Sequence, residues 1–156
     1  EIPYLSEKWM SMLGHVQSEA KRLGMQVDMN GGTGWPFGGP TISPEYAATK
    51  QIVQTYDLNA DTKSLDLKVK DAKQQGLAYL QALVFVSKDG RREQWSVEDV
   101  QDGFLSLPRS VEGKLYALYV GKTRQKVKRS APGGEGYVMN HLSKESLMFK
   151  MLPSIV

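Results

Sequence analysis

The sequence predicts a mixed α/β chain: a partial (β/α) barrel segment interrupted by a small antiparallel β-sandwich. Three observations carry that prediction. Apolar residues from Trp9 to Leu23 recur at helical spacing and lead through Gly24 into an alternating stretch at 25–29. The apolar period then drops from about 3.6 to about 2 near residue 50. After Arg129 a glycine-rich pattern returns. The predicted boundaries are a barrel segment at 1–49, an inserted antiparallel β domain at 50–127, and a return to the barrel segment at 128–156.

The first element is a helix over 7–23. Ser6 is a good N-cap residue and Gly24 a natural stop just past the end. Trp9, Leu13, Val16, Ala20 and Leu23 line one face, and Glu7 with Lys21 and Arg22 complement the macrodipole. His15 borders that stripe as a partly exposed helix residue. Met25, Val27 and Met29 then alternate with Gln26, Asp28 and Asn30 as a short strand. A helix feeding a strand with a functional loop at its carboxyl end is the repeating unit of barrel enzymes, whose chemistry sits on such loops. In that setting Asp28 and Asn30 either point into the barrel mouth or satisfy loop backbone amides, the amide role being favoured for Asp28 and the barrel mouth for Asn30. Ser43-Pro44 reads as an N-cap with proline at the first helical position, starting a short helix to about Lys50.

The predicted insert is a succession of short strands and turns. Leu65, Leu67 and Val69 alternate with polar residues, and Gly76 to Ser87 is a long apolar run ended by the hairpin signal Asp89-Gly90. Phe104 to Pro108 and Lys114 to Val120 follow as strands. Leu80, Phe85, Tyr116 and Tyr119 are its expected core, with Trp95 a packing residue that could also stack on sugar. Beyond Arg129 a second sharp loop, Pro132-Gly-Gly-Glu-Gly136, precedes Tyr137-Val138-Met139. A helix from near Ser143 would carry Leu147, Met148, Met151 and Leu152 on one face.

Residues 30–40 carry the functional signal. Five glycines, two prolines, Trp35 and Phe37 fall in these eleven positions. Glycine permits close approach of backbone to a ligand, and Pro36 and Pro40 stiffen the loop. Such a loop either presents Trp35 and Phe37 to an apolar or sugar face, or tucks them beneath itself as a satellite core.

Composition narrows the classes. The chain of 156 residues is 40% hydrophobic and 24% charged, as in ordinary globular domains. With no cysteine, disulfides, thiolate nucleophiles and Cys-based zinc sites are excluded. His15 and His141 lack ligand spacing, so no metal site is predicted, although a carboxylate-and-carbonyl calcium site remains open. A net charge of +3 is slight, and the basic run Lys122 to Arg129 fits a solvated strand face better than a nucleic-acid surface. No segment is apolar for long enough to span a bilayer. The opening on Glu1 without an initiator methionine and the apolar tail Met151 to Val156 suggest a fragment, with self-association through truncated edges.

Tyr4-Leu5-Ser6, Glu19-Ala-Lys-Arg-Leu-Gly24, Gly34-Trp-Pro-Phe-Gly-Gly-Pro40 and Ala131-Pro-Gly-Gly-Glu-Gly-Tyr-Val138 occur in this order. This series resembles the α-L-rhamnosidases of glycoside hydrolase family 106, over roughly 1–46 and 128–149. The resemblance implies inverting hydrolysis of terminal α-L-rhamnosyl linkages in plant-type glycans, by a secreted or periplasmic bacterial-type enzyme. It implies a sugar subsite lined by Asn30, Gly31, Gly32, Thr33, Gly34, Trp35 and Glu135. It places the catalytic carboxylates in later strands outside this chain, so the catalytic residues here are unknown. No cofactor is expected in this fragment, with Ca2+ possible in the intact enzyme. Glu135 reads as a subsite residue or as a turn-capping carboxylate. Asn140 stands where the family pattern has Asp, and an amide cannot serve as a base. The alternatives are a non-catalytic carbohydrate-binding module, with Trp35, Phe37 and Trp95 stacking on sugar, and a structural interaction domain with no ligand.

Overall fold

The computed structural model describes residues 1–28, 32–107 and 109–146. Its elements in chain order are α1 (Glu7–Arg22), β1 (Gly38–Gly39), β2 (Thr49–Leu58), β3 (Ser64–Asp66), β4 (Tyr79–Ser87), β5 (Arg92–Trp95), β6 (Val100–Gln101), β7 (Phe104–Ser106), β8 (Gly113–Lys122) and β9 (Tyr137–Val138). They fall in two compact units, Glu1–Ala48 with Thr123–Val156, and Thr49–Lys122.

Among the described residues every strand pairing is antiparallel, and α-helix is confined to α1 and residues 144–146. That overturns the barrel segment. A barrel needs parallel strands joined by helical crossovers, and the described residues form neither. The expected strand at 25–29 is the first casualty. Residues 25–28 take no regular structure, and Met25 is 63% exposed, so their alternation marks no buried face. The helix expected after Ser43 is also corrected: Pro44–Tyr46 is a single 3-10 turn. Its start signal holds, but β-branched residues at 49, 52, 53 and 55 suit a pleated strand better than a helix, and β2 begins at Thr49. The chain is a small, β-rich antiparallel protein.

Helix α1 starts and stops where its caps predict. The Ser6 hydroxyl accepts from the Trp9 N–H at 3.2 Å, and Gly24 follows at φ +68, the left-handed conformation glycine suits. Yet α1 buries no residue.

In the unit Thr49–Lys122, the larger sheet runs β2-β8-β4-β5 and the smaller β3-β7-β6. β2 and β8 pair over their whole length, from Thr49↔Lys122 to Leu58↔Gly113. β4 pairs with β8 on its other side, with a register shift between Leu80 and Ala82. Alternation along β8 sends Leu115, Ala117 and Tyr119 into a core shared with Leu58, Leu83, Phe85, Leu105 and the non-strand residues Leu67 and Val69. Phe85 and Tyr119 are thus core residues as expected, whereas Leu80 and Tyr116 are half-buried.

One polar group is built into that core. The Gln54 amide donates to the Tyr56 hydroxyl at 2.7 Å and to the Lys68 carbonyl at 3.2 Å, and accepts from the Lys70 N–H at 2.6 Å. The Tyr119 hydroxyl donates to the Leu67 carbonyl. These bonds hold the irregular 67–70 segment, which has no ladder of its own, against the sheet.

The other unit is organised by pairing between segments about a hundred residues apart. β1 pairs with β9, Gly38 opposite Val138. Isolated bridges join Trp35 to Lys128, Ala47 to Met139 and Lys126 to Tyr137. Beyond Lys122, which ends β8, the basic run is therefore held by single bridges and forms no continuous strand face. Ile42, Ala47, Val138 and Met139 are buried. Lys144 to Ser146 are helical behind Ser143, whose hydroxyl accepts from the Ser146 N–H. The apolar positions expected on that helix, Leu147 to Leu152, lie outside the described residues.

Candidate functional site

The two glycine-rich segments lie together. The Thr33 carbonyl accepts from the Ala131 N–H at 2.8 Å, and the buried Thr33 hydroxyl donates to the Gly134 carbonyl at 2.8 Å. Trp35 and Lys128 exchange both backbone bonds, at 3.2 and 2.9 Å, and the Phe37 carbonyl accepts from Met139 N–H at 3.1 Å. The loop is pinned at every second residue. Its stiffness comes from these bonds as well as from its prolines.

Most of the glycines serve this contact. A Cβ on Gly34 would sit 2.6 Å from the Lys128 carbonyl oxygen, one on Gly38 would sit 2.1 Å from that of Tyr137, and one on Gly136 only 1.8 Å from that of Gly39. On Gly32 it would meet the Phe37 ring at 2.6 Å. At these positions the close approach is chain to chain.

Against this pinned backbone Trp35 stands out, with 78% of its surface exposed. Phe37 is half-buried, its ring tilted against His141 at 6.1 Å between centroids. The two aromatics of the loop therefore divide the roles: Phe37 packs, and Trp35 faces outward. Glu135 is exposed, one residue beyond the Gly134 carbonyl that holds Thr33. Trp35 and Glu135 thus belong to one pair of bonded loops, although their sequence positions are far apart. Asn30 and Gly31 lie outside the described residues. Asn140 is a turn residue, its side-chain oxygen accepting from the Leu142 N–H at 3.1 Å.

Two carboxylates have clearly displaced pKa values, and both move down. Hydrogen bonds from Ser87 and Arg91 hold Asp89 below the usual range. For Glu145 the causes are its own backbone N–H and then the Ser143 hydroxyl. A general acid for glycoside cleavage needs the opposite shift. Among the described residues no group of three or more His, Asp or Glu side chains could hold a metal, and no helix is long and apolar enough to cross a membrane.

No protein-family model matches the chain, and no solved structure matches it. A protein of Formosa agariphila named "Putative beta-glucuronidase" is 45% identical over 47 residues, which is 30% of this chain and 4% of that protein. The chain therefore matches only a small part of that protein's length. Part of the chain is related to a protein named as a glycoside hydrolase, and these matches give the α-L-rhamnosidase family no support.

Proposed function

We propose that this chain is a sugar-contacting part of a glycoside hydrolase that removes terminal α-L-rhamnosyl units with inversion, outside the cytoplasm. One observation carries the reading: Trp35 is 78% exposed on a loop whose backbone is bonded on both sides. An indole held open at the surface by a rigid loop offers a large apolar face at low entropic cost, which suits the C–H face of a pyranose. The glycosidase name of the partly matching relative supports the class. The motif series around Trp35 supports the rhamnosyl specificity. Asn30 supplies paired donor and acceptor atoms for sugar hydroxyls, the backbone of residues 31–34 flanks the ring, and Glu135 takes a further hydroxyl. The catalytic carboxylate pair belongs to other residues of the intact enzyme, and this part needs no cofactor.

The test is Trp35→Ala in the intact enzyme that carries this chain, assayed with p-nitrophenyl α-L-rhamnoside and with the β-D-glucuronide. The expected result is rhamnoside turnover whose kcat/KM falls at least about tenfold, roughly 1.4 kcal/mol of transition-state binding, with the melting temperature nearly unchanged. Turnover of the glucuronide alone would overturn the rhamnosyl assignment. Unchanged kcat/KM would remove Trp35 from the subsite.

A further inference from the structure

A second aromatic-and-carboxylate constellation lies in the unit Thr49–Lys122, in a recess of about 270 Å³. β5 is the edge strand of the four-stranded sheet. Glu93 and Trp95, two residues apart on it, share one face. Their register partners Phe85 and Leu83 are core residues, so that face is the core face. The Trp95 ring stacks on Phe85 at 4.9 Å between centroids and 21° between planes. One face of the indole is thereby committed to the core, and the opposite face is turned away from Phe85. Leu107 and Val111, both packed against the core, join Trp95 in the lining. Charged groups complete it: Glu93, Arg109 and Asp99. Arg109 Nη2 lies 3.4 Å from Glu93 Oε1, and both side chains are more than half exposed.

We propose that this recess, within the unit Thr49–Lys122, binds a single neutral pyranose unit. Pockets for drug-sized ligands run about 300–1,000 Å³, so this recess suits something smaller, of the size of one sugar ring. An aromatic face beside planar carboxylate and guanidinium groups matches a pyranose, which has an apolar C–H face and a rim of hydroxyls that both donate and accept. Charge selects among sugars. The lining carries two carboxylates against one guanidinium that is already paired with Glu93, so a uronate would meet net repulsion while neutral hydroxyls are accepted. The competing explanation is an edge guard, since inward-pointing charges on an edge strand also block pairing with other chains.

The experiment follows the indole N–H resonance of Trp95, assigned by its loss in Trp95→Phe, in the full chain. L-Rhamnose, L-fucose, D-galactose, D-glucose, D-mannose and D-glucuronate are each titrated to about 50 mM, well above a millimolar Kd. The expected result is a saturable shift with at least one neutral sugar, weakened about tenfold in Glu93→Gln and in Arg109→Ala and unchanged in Trp35→Ala. Both binding variants alter exposed groups, so a native spectrum elsewhere verifies the fold. No shift with any sugar would leave the charges as an edge guard alone and overturn the site. Tighter binding of glucuronate would overturn its neutral-sugar specificity. Trp35→Ala kinetics and Trp95 titration fail independently, so loss of either reading leaves the other standing.

Discussion

At Gly136 the added methyl of alanine would fall 1.8 Å from the Gly39 carbonyl oxygen, and no flexible side chain can yield there. Gly136→Ala is therefore expected to cost about 3 kcal/mol or more, the upper range of overpacking penalties, measured by urea unfolding. Gly14 is the counter-case, a helical glycine with nothing within 4 Å of the added atom. Gly14→Ala should stabilise α1 by about 0.5–1 kcal/mol and raise helical circular dichroism. Tyr119, 2% exposed, supplies a pH dependence. Burial, then neighbouring Tyr56, pushes its phenol well above the ordinary value of 10.0. The unfolded chain can release that proton above about pH 10 while the folded one retains it. Stability is thus complete below pH 10 and falls beyond it by up to about 1.4 kcal/mol per pH unit. Tyr119→Phe should flatten that alkaline slope, while losing about 1–3 kcal/mol at neutral pH because it removes the bond to the Leu67 carbonyl.

Helix α1 follows its sequence signals closely yet buries no residue, with Val16 and Leu23 of its apolar stripe 48% and 58% exposed. Isolated helices of about 12–15 residues are marginal in water. In the isolated chain its amides should exchange with solvent orders of magnitude faster than those of β8, and fast exchange across β8 would contradict the assigned core. Caps and period made α1 legible, and alternation made β4 and β8 legible, because those signals are local. The barrel was misread at Met25 and Val27, whose alternation would mean a strand only beside a partner and over a core. The glycines announced close approach but not what they approach: Gly34 meets Lys128, and no local pattern links the two. Exposure of Trp35 as against partial burial of Phe37 was likewise left open, since both sit in one loop of uniform composition. Trp95 was legible as an aromatic that packs or stacks on sugar, but its recess with Glu93 and Arg109 was not, because Arg109 joins it from outside the β5 strand.

For the whole chain the expected activity on p-nitrophenyl α-L-rhamnoside is none, and sustained turnover by the purified 156 residues would place the catalytic pair within them. Association is the other expectation. β2 stands at the outer end of its sheet, is ten residues long, and exposes Val53, a combination that invites pairing with a second copy. Light scattering should show mass rising with concentration, and Val53→Lys should suppress it. The pairing of Thr49 with Lys122 has a different consequence. The unit between them begins and ends on adjacent strands, and Ala48 and Thr123 are joined by a backbone bond of 2.9 Å just outside it. Such a module can be cut out at two neighbouring peptide bonds and its flanks rejoined by a short turn. It is portable: a cassette that can be transplanted into the hairpin of an unrelated host, where its core would travel with it.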